Sequence, residues 1–278
     1  MEITLKNLNY RYKSQRQQYA LQDVNATIKP GIHLLLGENG AGKTTLLHLI
    51  AGLLTPSAGE CLIDGAKSCH RLPSILSRVF ISGINIDFPM RSIAEMVKVH
   101  APFYPDFSRR MLDENLAAFG IDPSTPLSSL STGNYQKAKV AYALALRTPV
   151  LLLDEPTNGL DIESKKLLQK MVATNVSDSQ TVIISTHSVS DLENFYDGVI
   201  DICGSRLQYA LTVNEILDRL DFGKANTPPP DAIYAEPWVG SFRFVSEKTD
   251  ENWSDIDWEI LYMAARKANN KLLKALNR

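Results

Sequence analysis

The sequence predicts an α/β fold with a mostly parallel sheet, an antiparallel β-subdomain before it, an α-helical block inserted into it and a small C-terminal extension. Three observations predict it. Short apolar runs alternate with helix-patterned stretches between residues 150 and 220, the pattern of a doubly wound parallel sheet. Val150-Leu151-Leu152-Leu153 contains no polar residue, as expected of a strand buried on both faces. Residues 32–36, apolar except for His33, lead into Gly37-Glu38-Asn39-Gly40-Ala41-Gly42-Lys43-Thr44-Thr45, and a helical pattern opens over residues 44–51.

The elements follow in order. Residues 2–8 alternate, with Ile3, Leu5 and Asn7 on one side, and predict a strand. A second strand over residues 21–28 ends at the turn signal Lys29-Pro30-Gly31. The strand and helix around the glycine-rich loop follow, and Gly52 ends that helix. Residues 59–64 and 78–81 read as further strands, the first closing on the turn Asp64-Gly65.

From about residue 92 the pattern becomes helical. Ser92 caps a run in which Ile93, Met96, Val97 and His100 recur at helical spacing. Residues 107–119 form a second helix with Gly120 just past its end. Pro123 and Pro126 break the chain before an alanine-rich third helix over residues 134–147. Residues 88–147 are thus the inserted helical block. Strands resume at 150–153, 181–185 and 198–203, with helices over 162–176, 190–196 and 213–220. Asn226-Thr227-Pro228-Pro229-Pro230 cannot continue a helix and reads as a linker or extended arm. The reading therefore divides the chain into residues 1–221 and a linker with extension over 222–278. All three tryptophans, Trp238, Trp253 and Trp258, lie in that extension, where they read as packing residues. Its final helix, residues 258–276, turns basic at its end.

Bulk properties narrow the function. A net charge of −2 gives no electrostatic reason to expect a nucleic-acid partner. Cys61, Cys69 and Cys203 have no metal-ligand spacing and suit a reducing cytosol. No signal peptide is evident and no apolar run is long enough to span a bilayer; any membrane involvement would need another chain.

Two motifs carry chemistry. The loop at 37–45 fits glycine, four residues, Gly-Lys-Ser/Thr. A strand that turns tightly into a helix leaves backbone N–H groups pointing outward, and with the helix dipole they form a polyphosphate site. Lys43 would reach the β- and γ-phosphates and the Thr44 hydroxyl would hold Mg²⁺. The second motif is Val150–Asp154 followed by Glu155-Pro156. It places Asp154 at the C-terminal end of a buried strand, where ligands sit in open α/β sheets. Asp154 would serve the same metal ion, and Glu155 would polarise the attacking water.

With these motifs the chain resembles the nucleotide-binding subunit of an ABC transporter, over roughly residues 1–215. Leu130-Ser131-Thr132-Gly133-Asn134 resembles the family's signature sequence, Asn158-Gly159-Leu160-Asp161 its D-loop, His187 its switch histidine and Tyr12 the aromatic residue that stacks on adenine, although Tyr10 alternates with Tyr12 and either could be a packing residue. The resemblance implies a P-loop ATPase core that binds ATP and Mg²⁺. It also implies a homodimer in which Ser131, Gly133 and Asn134 of one copy cover the ATP held by Gly37, Glu38, Asn39, Gly40, Ala41, Gly42, Lys43, Thr44 and Thr45 of the other. His187 and Glu155 are its catalytic candidates. Its partner would be a separate membrane permease, with the chain peripheral on the cytoplasmic face. The signature variant and the C-terminal extension lean toward export. Alternatives are a non-transport ATPase acting on ribosomes or DNA and a weakly hydrolysing regulatory module. One motif departs from the pattern: where the family carries a glutamine, this chain has Gly83, with Asn85 as a candidate substitute. That departure places the coupling to a membrane partner in question rather than nucleotide binding.

Overall fold

A computed structural model describes residues 1–15, 18–83, 85–186, 195–249 and 255–277. The central sheet has the order β10 (Arg206–Thr212), β9 (Gly198–Cys203), β3 (Gly31–Leu36), β8 (Thr181–Ser185), β7 (Val150–Asp154), β6 (Val79–Gly83). Its strands pair in parallel from β9 to β6, and β10 closes the edge antiparallel to β9. The second sheet is antiparallel, in the order β2 (Leu21–Ile28), β1 (Ile3–Tyr10), β4 (Ala58–Ile63), β5 (Ala66–Lys67). The mostly parallel core with an N-terminal antiparallel subdomain is therefore present as the sequence predicts.

Both faces of the parallel sheet are covered, which is why its strands read as unbroken apolar runs. Ile32, Leu34, Leu36, Leu151, Leu153, Val182 and Ile184 enter one core with the helical block. The alternate residues Leu35, Val150, Leu152 and Ile183 enter a second core with α1 (Lys43–Ile50) and the antiparallel sheet. The helix that carries Lys43 is thus held between two sheets.

The helical block comprises α3 (Ile93–Val99), α4 (Arg109–Ala118) and α5 (Thr132–Ala145). Ser92, Ser108 and Ser131 cap them by accepting from Glu95, Met111 and Asn134 backbone N–H groups. The caps explain why α5 starts earlier than its apolar pattern suggests. Short helix α2 (Pro73–Leu76) precedes β6, and α6 (Ile162–Asn175) connects β7 to β8.

Four sequence expectations are corrected. The alternation in β1 breaks at Asn7, whose φ of 45° marks a bulge; Leu8, not Asn7, is buried with Ile3 and Leu5. The helix expected over 213–220 stops as α7 (Val213–Leu217). The chain then forms β11 (Leu220–Ala225), which pairs with β13 (Ser241–Glu247) beside β12 (Tyr234–Trp238). The three prolines consequently lie in the β11–β12 connection of a sheet. The terminal helix divides at Ala268 into α8 (Trp258–Lys267) and α9 (Asn269–Leu276). The expected helix over 190–196 and Trp253 fall largely or wholly outside the described residues.

The extension shares the core on the helical-block face: Ile260, Leu261, Leu272 and Leu276 are buried in it. Arg266 of α8 forms a bidentate ion pair with Asp201 of β9, at 2.6 and 3.0 Å. Asp201 is fully buried and stands beside Leu36, the last residue of β3.

Candidate nucleotide site

The loop between β3 and α1 turns through left-handed glycines. Gly42 has φ of 111°, and a Cβ there would lie 2.5 Å from the Ala20 carbonyl oxygen, so only glycine lets β2 pass this close. Lys43 follows in the first turn of α1. Its side chain is buried and curls back along the loop, with Nζ donating to the Gly37 carbonyl at 2.7 Å and the Glu38 carbonyl at 3.2 Å. Burial lowers its pKa, the carboxylates of Glu155 and Asp154 oppose that shift, and the Arg266 guanidinium adds to it. Lys43 thus sits where two acids and a second cation converge.

Asp154 ends β7 with both carboxylate oxygens engaged. Thr44 Oγ1 donates to Oδ2 at 2.7 Å, and the Ser185 hydroxyl of β8 donates to Oδ1. The parallel register sets this arrangement, since Asp154 pairs with Ser185 across the ladder. A hydroxyl and a carboxylate so close together are the hard oxygen donors that suit Mg²⁺. No cluster of three or more His, Cys, Asp or Glu side chains occurs among the described residues to form an all-protein metal cage.

Glu155 leaves the strand with φ of 50°. Its backbone N–H lies 2.9 Å from the Ser185 hydroxyl oxygen and 3.2 Å from the Ser185 carbonyl, and its carboxylate accepts from Asn158 Nδ2 at 3.3 Å. The left-handed backbone turns its side chain toward the loop, and Glu155 lines one cleft with Lys43 and Thr44.

That cleft, about 350 Å³, is also lined by Tyr12, Tyr19, Glu38 and Thr45. Tyr12 exchanges a hydroxyl hydrogen bond of 3.0 Å with Thr45 and keeps 37 % of its surface exposed. Tyr10 meets it edge-on, with centroids 5.0 Å apart. Tyr12 is therefore one of two aromatic residues in the cleft, with Tyr19, and Tyr10 supports it from the strand.

Ser131, Gly133 and Asn134 do not line this cleft. They form the first turn of α5, with Ser131 exposed. A Cβ on Gly133 would approach the Gly159 carbonyl oxygen at 3.2 Å, so the signature turn packs on the loop after Glu155. Asp161, at the end of that loop, caps α6 through Ser164. His187 lies outside the described residues.

Sequence reasoning missed Ser185, Lys139, Asp201 and Arg266. Ser185 carried a usable signal, as the polar end of an otherwise apolar strand next to an acid-terminated one. Arg266 carried none, because its partner lies 65 positions away.

Comparisons with known proteins show the family. The family model described as ABC transporter matches residues 21–158. The chain is 31 % identical to an energy-coupling factor transporter ATP-binding protein, EcfA1, of Thermotoga maritima, over 74 % of this chain and 82 % of that protein. It is 32 % identical to a cobalamin import ATP-binding protein, BtuD, of Halobacterium salinarum, over 71 % of this chain and 52 % of that longer protein. A solved dimeric, post-hydrolysis state of an ATP-binding cassette bound to ADP and Pi superposes with a TM-score of 0.62 at 26 % identity, covering 76 % of this chain and 98 % of that one. By these matches the chain belongs to the ABC transporter family, as one of its ATP-binding ATPase subunits.

Proposed function

We propose that two copies of this chain hydrolyse ATP at two composite sites and thereby drive a separate membrane-spanning partner. The observation that carries this is the split of the site. Lys43, Thr44 and Glu155 line one cleft, with Asp154 hydrogen-bonded to Thr44, whereas Ser131 and Gly133 stand at a helix N-terminus outside it. An exposed helix start has unpaired N–H groups suited to phosphate, and a second copy can present it to the cleft. A two-fold arrangement does this twice.

In this reading the adenine stacks on Tyr12, and the loop amides with Lys43 hold the phosphates. Thr44 and Asp154 would hold a Mg²⁺ ion, which would supply charge neutralisation for the phosphates. Glu155 accepts a proton from water as the water oxygen bonds to the γ-phosphorus. The bond from that phosphorus to the bridging oxygen breaks, and ADP leaves with the electron pair. Gly133 and Ser131 from the second copy, and His187, complete the γ-phosphate contacts. Most of the catalysis is positioning and charge neutralisation.

The partner is inferred from the family and from one surface. An apolar groove lies between the end of α1, β6 and the start of the helical block, lined by Leu53, Leu76, Phe80, Phe103 and Tyr104. Phe103 is 69 % exposed and Leu53 46 %. Exposed apolar surface of this kind marks an interaction site, and no helix among the described residues is long and apolar enough to cross a membrane. We assign the groove to a cytoplasmic segment of the permease, which would hold the chain at the membrane. No nucleic-acid partner is proposed. The expectation of export gains no support from the relatives; the cobalamin protein among them is named for import. Transport assayed in both orientations with the reconstituted permease decides direction.

The test of the composite site is Glu155→Gln. This variant is expected to lose turnover by a factor of about 100 or more and to elute as an ATP-bound dimer in size-exclusion chromatography with Mg²⁺-ATP. Wild-type turnover, or a monomer at saturating ATP, would refute the reading.

A further inference from the structure

Lys139 of α5 is 1 % exposed, the more deeply buried of the two lysines in that helix. A buried ammonium needs partners. Its Nζ donates to the Gly83 carbonyl and, at 3.0 Å, to the Ile86 carbonyl. One helical turn earlier, the Tyr135 hydroxyl accepts from the Phe88 backbone N–H at 2.9 Å and donates to Asp87 at 3.3 Å. The Lys139 ammonium also stands 5.0 Å from the Tyr135 ring. Two side chains of one helix face therefore hold the last residue of β6 and three residues of the segment that follows it.

That segment begins beside the metal-binding acid. Gly83 pairs in register with Asp154 across the β6–β7 ladder, and a Cβ on Gly83 would stand 2.9 Å from the Asp154 Cβ. No side chain fits at position 83 without displacing Asp154. Asn85, the substitute the sequence suggested, is exposed. The polar group that reaches this place comes from α5, the helix whose first turn carries Ser131 and Gly133.

We propose that Lys139, assisted by Tyr135, clamps Gly83 and residues 86–88 to the signature helix, so that the end of β6 beside Asp154 and the helix start at Ser131 move as one body. Lys139 is then a positioning residue for ATP-driven closure of the dimer, doing from the helix what a side chain at position 83 cannot do. The inference rests on the composite-site reading above.

The experiment uses the full chain in the Glu155→Gln background. Dimerisation is followed by analytical ultracentrifugation against ATP concentration, and ATP affinity of the monomer is measured by fluorescent-nucleotide titration at protein concentrations too low for dimer. Adding Lys139→Met is expected to raise the ATP concentration for half-dimerisation at least tenfold while monomer affinity changes less than twofold. Lys139→Arg, which keeps a cationic donor, should recover most of the loss. A folded Glu155→Gln/Lys139→Met protein that dimerises at the parent's ATP concentration overturns the clamp and leaves the composite site standing. Failure of Glu155→Gln itself to dimerise removes the composite site and the clamp with it. Hydrogen exchange on the wild-type chain tests the same point should the methionine variant fail to fold: ATP should protect the amides of residues 85–88 and 133–139 together, and protection of 133–139 alone overturns the proposal.

Discussion

The phosphate loop and the signature turn are both helix N-termini, yet they are built in opposite ways. At the loop, α1 is held between two sheets, its lysine is buried, and two carboxylates and a guanidinium act on that lysine. At the signature, α5 opens with an exposed serine whose hydroxyl is already occupied in capping its own helix. One end is a finished pocket, while the other offers backbone dipoles and little else. On the proposed reading the difference makes affinity and assembly separable: the first end would hold a nucleotide alone, and the second would acquire a ligand when another copy brings one.

The largest expected effect falls on the finished end. Lys43→Ala removes the buried cation, and turnover should fall by a factor of about 100 to 1,000, with ATP binding lost in parallel in an equilibrium titration. Near-normal binding in that variant would dissolve the contrast between the two ends. Next comes the brace behind the loop. Arg266→Met leaves the buried Asp201 carboxylate uncompensated, and stability should drop by about 3–5 kcal/mol in denaturant unfolding. Asp201→Asn combined with Arg266→Met should recover a good part of that loss, since no unpaired charge remains buried.

Ser131→Ala acts on the other end. Loss of the cap costs about 1 kcal/mol; monomer affinity for ATP should stay within twofold while the dimer needs more ATP. Equal losses in both measurements would mean that the two ends are not separable. The smallest effect is at Tyr12. Tyr12→Ala should weaken ATP binding by about 0.5–1.5 kcal/mol, and Tyr12→Phe should retain the affinity if the ring, not its hydroxyl bond to Thr45, is what matters.

The same contrast sorts what the sequence revealed. The strands at 32–36, 150–153 and 181–185 were legible because burial on both faces removes every polar exception but His33 and the two ends of the last strand, Thr181 and Ser185. The loop at 37–45 was legible because a tight strand–helix turn demands glycine at particular positions. The C-terminal sheet was not, because β12 is only half-buried along its length and β13 carries Arg243 inward. That arginine is tolerated by ion pairs to Glu236 and Glu259, contacts that no local pattern announces. Lys139 was hidden for a related reason: in an alanine-rich helix it resembled a surface residue, and only the fold brings it to the carbonyls of Gly83 and Ile86.

The backbone at Glu155 has a consequence for anyone engineering this protein. A glutamate at φ of 50° holds a conformation that favours glycine or asparagine, at a cost of about 1–2 kcal/mol. A laboratory selection for heat tolerance would therefore reward Glu155→Gly or Glu155→Asn, and the survivors would be sturdier proteins that no longer turn over. Screens on this chain should score phosphate release alongside melting temperature, because at this position the two select for different residues.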